Sequence, residues 1–152
     1  MGQQQLLLVI LVTIIVGIAT VVAINVFGTA AEQAERDAVR QDLLGAAVQA
    51  QAIWARPTLM DGSGRDFTHF DEGELLTRLN IPADSDYERD STPLTNSNGS
   101  YTLTRTTDGM VITGAPASGS ADIELRLTRN TTTGGWDVEI DGEEEQATTT
   151  PE

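Results

Sequence analysis

Leu6–Phe27 contains no charged residue and almost no polar one: sixteen of its positions are Val, Ile, Leu or Phe, interrupted by Thr13, Gly17, Ala19, Thr20, Ala23 and Asn25. At about 1.5 Å of rise per residue, a helix of this length spans a bilayer core of roughly 30 Å. The large apolar side chains contribute a gross insertion free energy of roughly −5 to −10 kcal/mol, which the Thr, Gly and Asn positions reduce without reversing. Beyond Phe27 the pattern changes but stays helical. Val39, Leu43, Ala46/Ala47, Ala50 and Ile53/Trp54 recur every three or four residues to Arg56, and Pro57 stops the run. A second stripe, Ala30, Ala31, Ala34 and Ala38, reads either as a close-approach surface for another helix or as a plain Ala-rich face.

The last third of the chain alternates with period two. Four strands are expected: Tyr101–Thr106, Met110–Thr113, Asp122–Thr128 and Trp136–Asp141, with Ile123, Leu125, Leu127, Trp136, Val138 and Ile140 facing inward. Thr107-Asp108-Gly109 and Thr133-Gly134-Gly135 supply hairpin turns, and Ala115–Ser120 a longer link. One apolar and one polar face describe an antiparallel sheet packed on something, and the stripe ending at Trp54 is the expected partner. The segment 57–100 reads as irregular, with a short helix near Asp71–Leu79 and with Phe67 and Phe70 pinned to the core. The expected fold is therefore α+β: a long N-terminal helix packed through its C-terminal half on a small antiparallel sheet of about four strands. Its parts are residues 1–2 as a leader, 3–27 as the apolar spike, 28–56 as an amphipathic helix, 57–100 as a connecting loop, 101–142 as the sheet and 143–152 as a solvated acidic, Thr-rich tail.

Charge narrows the function. The 152-residue chain carries nine Arg, no Lys and 23 Asp or Glu, for a net charge of −14, and no charged side chain precedes Glu32. That sign argues against nucleic acid and anionic membrane surfaces as partners, and fits a soluble, acidic outer surface. There is no Cys and one His, His69. No nucleophile–base pair, phosphate loop or metal-ligand set is legible, so neither an enzyme nor a cofactor protein is expected. Asp84, Asp86, Glu88 and Asp90 alternate like the first half of a calcium loop. Arg89 and Thr95 stand where such a loop needs Gly and Glu, so a solvated acidic loop is the stronger reading. Asn98-Gly99-Ser100 and Asn130-Thr131-Thr132 match the glycosylation sequon and mark Asn98 and Asn130 as candidate modification sites on exposed turns. The residues Met1–Gln5 lack the basic character of a signal peptide, although Thr29-Ala30-Ala31 has the small residues of a cleavage site.

Met1-Gly2-Gln3, followed at once by the Val/Ile/Leu spike, resembles a type IV pilin or pseudopilin with a very short leader. The resemblance covers roughly Met1–Trp54 in detail and the remainder in outline. It implies that a prepilin peptidase in the inner membrane cuts after Gly2 and methylates Gln3. It further implies that assembly machinery lifts the subunit out, so that Leu6, Leu7, Leu11, Ile14, Ile18, Val22 and Phe27 enter the core of a helical homopolymer outside the cell. Three features depart from the family pattern: the leader has no basic residue, Gln3 replaces an aromatic residue, and Leu7 occupies the fifth mature position, where Glu is usual. The side chains of Gln3, Gln4 and Gln5 can hydrogen-bond an amine, more weakly than a carboxylate would. Two other readings compete with a filament subunit: a minor pseudopilin of a secretion or uptake machine, and a single-pass membrane-anchored binding module that does not polymerise.

Overall fold

A computed structural model describes residues 2–141. The leader residue Met1 and the tail expected at 143–152 lie outside the described residues. The chain divides into two compact units, one up to Ala34 and one from Glu35 onward. The first is helical throughout and belongs to helix α1, Gly2–Ala55. Its two hydroxyls within the apolar run are satisfied locally: Thr13 Oγ1 donates to the Ile10 carbonyl and Thr20 Oγ1 to the Val16 carbonyl, each at 2.8 Å. The helix is long and apolar enough to cross a membrane.

The second unit is the α+β body. Its strands are β1 (Leu94–Asn96), β2 (Gly99–Thr106), β3 (Gly109–Pro116), β4 (Ile123–Arg129) and β5 (Trp136–Asp141), all antiparallel and ordered as a simple meander. The expected stripe is buried: Val39, Leu43, Ala46, Ala47, Ala50 and Ile53 pack in one core with Tyr101, Leu103, Ile112, Ile123, Leu125 and Leu127. Helix α2, Glu72–Arg78, adds Leu75 and Leu76, with Leu79 just beyond it, and Phe67 and Phe70 pin the connecting loop as expected.

Three details differ from the sequence expectation. The sheet has five strands, because β1 is only three residues long, too short to display alternation, and the turn Asn96–Gly99 folds it against β2. In that turn the Asn96 carboxamide oxygen accepts from the amides of Asn98 and Gly99. Strand β3 runs to Pro116 rather than stopping at Thr113, because β2 begins at Gly99 and pairs with it as far as Pro116, whereas β4 pairs with it only as far as Gly114. On β5 the expected inward face is incompletely covered: Trp136 and Ile140 are half-buried and Val138 is 41% exposed. β5 is an edge strand with no further neighbour in the sheet, so its face lies at the margin of the core.

The register of α1 on the sheet is set at both ends. Near the start of the unit, Arg36 Nη1 donates to the Ala121 carbonyl at 3.3 Å, and a Cβ placed on Gly114 would lie 2.6 Å from Val39 Cγ1. Gly114 thus lets the helix approach the C-terminal part of β3. At the other end the loop after Pro57 folds back and satisfies carbonyls at the end of the helix, Ser63 N donating to Ile53 O and Arg65 N to Trp54 O, while Gly64 N donates to Arg56 O just beyond it, at 2.9–3.1 Å. Gly64 has φ of +64°, which suits glycine. α1 therefore runs along β4 in the same direction, from Ile123 towards Arg129.

Candidate functional site

Two surfaces carry chemistry that a folded body alone does not require. The first is the apolar run of α1. The large apolar side chains from Leu6 to Phe27 are each about half exposed or more: Leu7 is 69% exposed, Leu11 58% and Phe27 74%. The residues expected to form a filament core, Leu6, Leu7, Leu11, Ile14, Ile18, Val22 and Phe27, belong to this surface; Leu7, Leu11, Ile14, Ile18 and Val22 share one face at helical spacing, while Leu6 and Phe27 lie off it on a run that is apolar all round. Such a helix is stable only when lipid or other helices surround it. Gly2 and Gln3, the expected processing residues, form the start of α1. A Cβ on Gly17 or Gly28 would meet nothing within 4 Å, so neither glycine is required by packing inside the chain.

The second surface is a polar clasp between α1 and the sheet. Asp42 lies on the buried side of α1, between Val39 and Ala46. Its Oδ2 accepts three hydrogen bonds: from Tyr101 Oη at 2.7 Å, from Asn98 Nδ2 at 2.9 Å and from Asn96 Nδ2 at 3.2 Å. A second bond from Asn96 Nδ2 reaches the Pro82 carbonyl at 3.0 Å. Burial pushes the Tyr101 phenol well above its ordinary value, and the carboxylate of Asp42 adds to the shift. One acidic side chain thereby fastens the helix, β1, β2 and the loop at Pro82. The amide of Asn98, a candidate glycosylation site, is engaged here, whereas Asn130 sits in the β4–β5 loop. There its carboxamide oxygen accepts from the amides of Thr132 and Thr133, and its Nδ2 donates to Asp137. Beside the clasp is a pocket of about 170 Å³, lined by Gln41, Asp42, Gly45, Val48, Gln49, Leu79, Asn80 and Pro82. Sequence reasoning missed the clasp, although one signal was present: Asp42 is three residues from Val39 and four from Ala46 on an otherwise apolar stripe, and a carboxylate placed there requires donors.

The acidic segment Asp84–Asp90 forms a surface loop. Its anchor is Tyr87, whose hydroxyl donates to the Ser91 carbonyl at 2.9 Å and lies 3.1 Å from Thr77 Oγ1 on α2. Among the described residues no cluster of His, Asp or Glu has the arrangement of a metal site. His69 is exposed, with its ring edge-on to Phe70.

At the far end of the body, indoles and guanidiniums interleave. Trp54 and Trp136 meet edge to face at 5.2 Å, Arg129 lies 4.8 Å from the Trp54 ring and 5.3 Å from the Trp136 ring, and Arg65 lies 5.8 Å from Trp54. The adjoining turn exposes Leu59 (98%) and Met60 (70%). No family model, curated protein or solved structure matches the chain.

Proposed function

We propose that this protein is the structural subunit of a type IV pilus-like extracellular filament and polymerises through the apolar half of α1. The observation that carries the reading is the composition of that one helix. Its first half is uncharged, apolar on every side and exposed, while its last five turns are built into the core of an acidic α+β body. An apolar rod of this kind needs a surrounding, and a subunit that exchanges lipid for the rods of its neighbours finds one in both its states. The mechanism runs in three steps. The precursor is held in the inner membrane through Leu6–Phe27. Prepilin peptidase cuts after Gly2 and leaves Gln3 as the methylated N-terminus. Assembly machinery then withdraws the subunit, and Leu6, Leu7, Leu11, Ile14, Ile18, Val22 and Phe27 pack against neighbouring rods.

Leu7 makes the assembly contact differ from the carboxylate–amine pair usual in the family. In this reading a side-chain carboxamide oxygen of Gln3, Gln4 or Gln5 accepts from the neighbour's N-terminal amine, more weakly than a carboxylate would, and apolar packing supplies most of the stabilisation. The acidic bodies form the outer wall.

The test is electron microscopy of material sheared from cells, with mass spectrometry of the N-terminus in the same fraction. Thin filaments composed of this chain and beginning at methylated Gln3 are expected. Chain found only in membranes and still beginning at Met1 or Gly2 would overturn the reading in favour of an anchored binding module. Filaments with an intact N-terminus would retain the structural role and remove the processing step. A scarce product confined to a short periplasmic stub would identify a minor pseudopilin.

A further inference from the structure

The fold puts the two glycosylation sequons in opposite settings. Asn98-Gly99-Ser100 is built into the sheet. Gly99 and Ser100 already belong to β2 and are paired on both sides, Gly99 with Asn96 and Pro116, Ser100 with Thr95 and Ala115. The backbone of Asn98 is engaged as well: its amide donates to Asn96 Oδ1 and its carbonyl accepts from Ala117 N, each at 2.9 Å. Its Nδ2 donates to Asp42 within the clasp. A bulky group on that nitrogen would stand between the β1–β2 turn and α1, where a part-buried carboxylate needs its donors.

Asn130-Thr131-Thr132 lies beyond the last β4–β5 pair, Arg129 with Trp136. The loop closes on itself. Asn130 N donates to the Gly135 carbonyl at 3.0 Å, and Gly134 N donates to the Asn130 carbonyl at 2.8 Å, with Gly134 at φ of +70°. Thr131, Thr132 and Thr133 are thereby left exposed at the tip, including the Thr132 hydroxyl that the sequon requires. The Asn130 Oδ1 accepts from the amides of Thr132 and Thr133, both at 3.0 Å, and so orients the carboxamide. Its Nδ2 donates one bond, 3.2 Å long, to the exposed carboxylate of Asp137. The same loop leads into the edge strand β5, where Val138 is 41% exposed. Open edges pair with other chains unless they are shielded, and a hydrated polymer rooted beside this one shields it.

We propose that Asn130 is a site of N-linked glycosylation and that Asn98 is not. The donor is a glycan carried on a polyprenyl-phosphate lipid, and a membrane glycosyltransferase catalyses the transfer. The Asn130 Nδ2 forms a bond to C1 of the first sugar as the bond from C1 to the phosphate oxygen breaks. The lipid phosphate leaves with the electron pair, and one Nδ2 proton passes to a base of the transferase. The remaining N–H stays available to Asp137, and Oδ1 keeps both of its backbone donors, so the loop holds its shape. The site rests on the part of the filament reading that puts the body outside the cytoplasm, and it is independent of polymerisation.

The experiment takes the full chain from the cells that make it, in both the membrane and the sheared fractions, and measures intact mass and peptide masses. The chain is expected to be heavier than its sequence by a whole number of sugar residues, with the excess on the peptide that contains Asn130. N130Q and T132A should lose the excess, T132S should keep it, and S100A should leave it unchanged. Thr132→Ala keeps the backbone bond to Asn130 Oδ1, and Ser100→Ala keeps the Asn98 carboxamide in the clasp, so neither result reflects unfolding. Chain without sugar in both fractions, a glycan on Asn98, or a glycan on Thr131–Thr133 that persists in N130Q would overturn the proposal. Sugar-free filaments would do so while leaving the filament reading intact. Glycosylated chain confined to membranes would retain the site and overturn the filament reading.

Discussion

Asp42 is a carboxylate on a helix face that otherwise buries Val, Leu, Ala and Ile, and its three donors explain why it is tolerated there. Replacing Asp42 with Ala leaves the Tyr101 hydroxyl buried without an acceptor, with an expected loss of about 1–3 kcal/mol of stability, measurable by denaturant unfolding. Tyr101→Phe should cost less, and the double variant should cost less than the sum, because the two singles remove the same bond. The elevated phenol of Tyr101 adds a pH signature. In the unfolded chain the phenol ionises near pH 10, while the folded chain holds its proton to higher pH. The contribution is therefore complete below about pH 10 and is lost progressively as pH rises beyond it, a fall that Tyr101→Phe should abolish. Asp61 behaves in the opposite sense. The hydrogen bond and charge of Arg78 lower its pKa, so its small contribution is present above the usual carboxylate range and fades as pH falls through that range.

At the scale of elements, α1 approaches β3 closely at Gly114. Gly114→Ala places a methyl group 2.6 Å from Val39 Cγ1 and 3.4 Å from the Tyr101 ring, and the helix must shift to accept it. A loss of about 1–3 kcal/mol is expected by thermal unfolding, and Val39→Ala in the same chain should recover part of it, because it removes the opposing methyl. Gly73 on α2 has the same logic: a Cβ there would collide with the Asp90 carbonyl, so the acidic loop owes its position to the absence of a side chain. Alternation along the sequence locates β2, β4 and β5 within a residue or two. It misses β1, whose three residues become a strand only because β2 is there to pair with. It also assigns Val138 an interior place that an edge strand cannot provide.

At the scale of the molecule, two features act together. The rod from Leu6 to Phe27 is uncharged, and the −14 net charge falls entirely on the rest of the chain. Leu11→Asp places an unpaired carboxylate within the apolar run, where neither lipid nor a packed rod offers it a partner. Filament yield in the sheared fraction should fall to background while the body still folds, as judged by its unchanged circular dichroism. An acidic body repels itself, so its thermal midpoint should rise on adding salt between 0.01 M and 0.15 M as the Debye length shortens from about 30 Å to about 8 Å.

Periodicity alone determined the long helix, its apolar first half, the stripe from Val39 to Ile53, the short helix α2 and the inward faces of β2 and β4. Each of these follows from burying alternate or every third and fourth side chain, a constraint that operates within a single element. The absence of charge before Glu32 was equally plain, and with it a helix fit for lipid or for other rods. What the fold alone decided is how distant side chains meet. Asp42 finds Tyr101 fifty-nine positions away, Trp54 finds Trp136 and Arg129 across the core, and Glu124 comes to face Asp141. Those meetings depend on strand register and on the approach that Gly114 permits. Both are properties of pairs of elements, fixed by packing and hydrogen bonding between segments that no local pattern in the sequence connects.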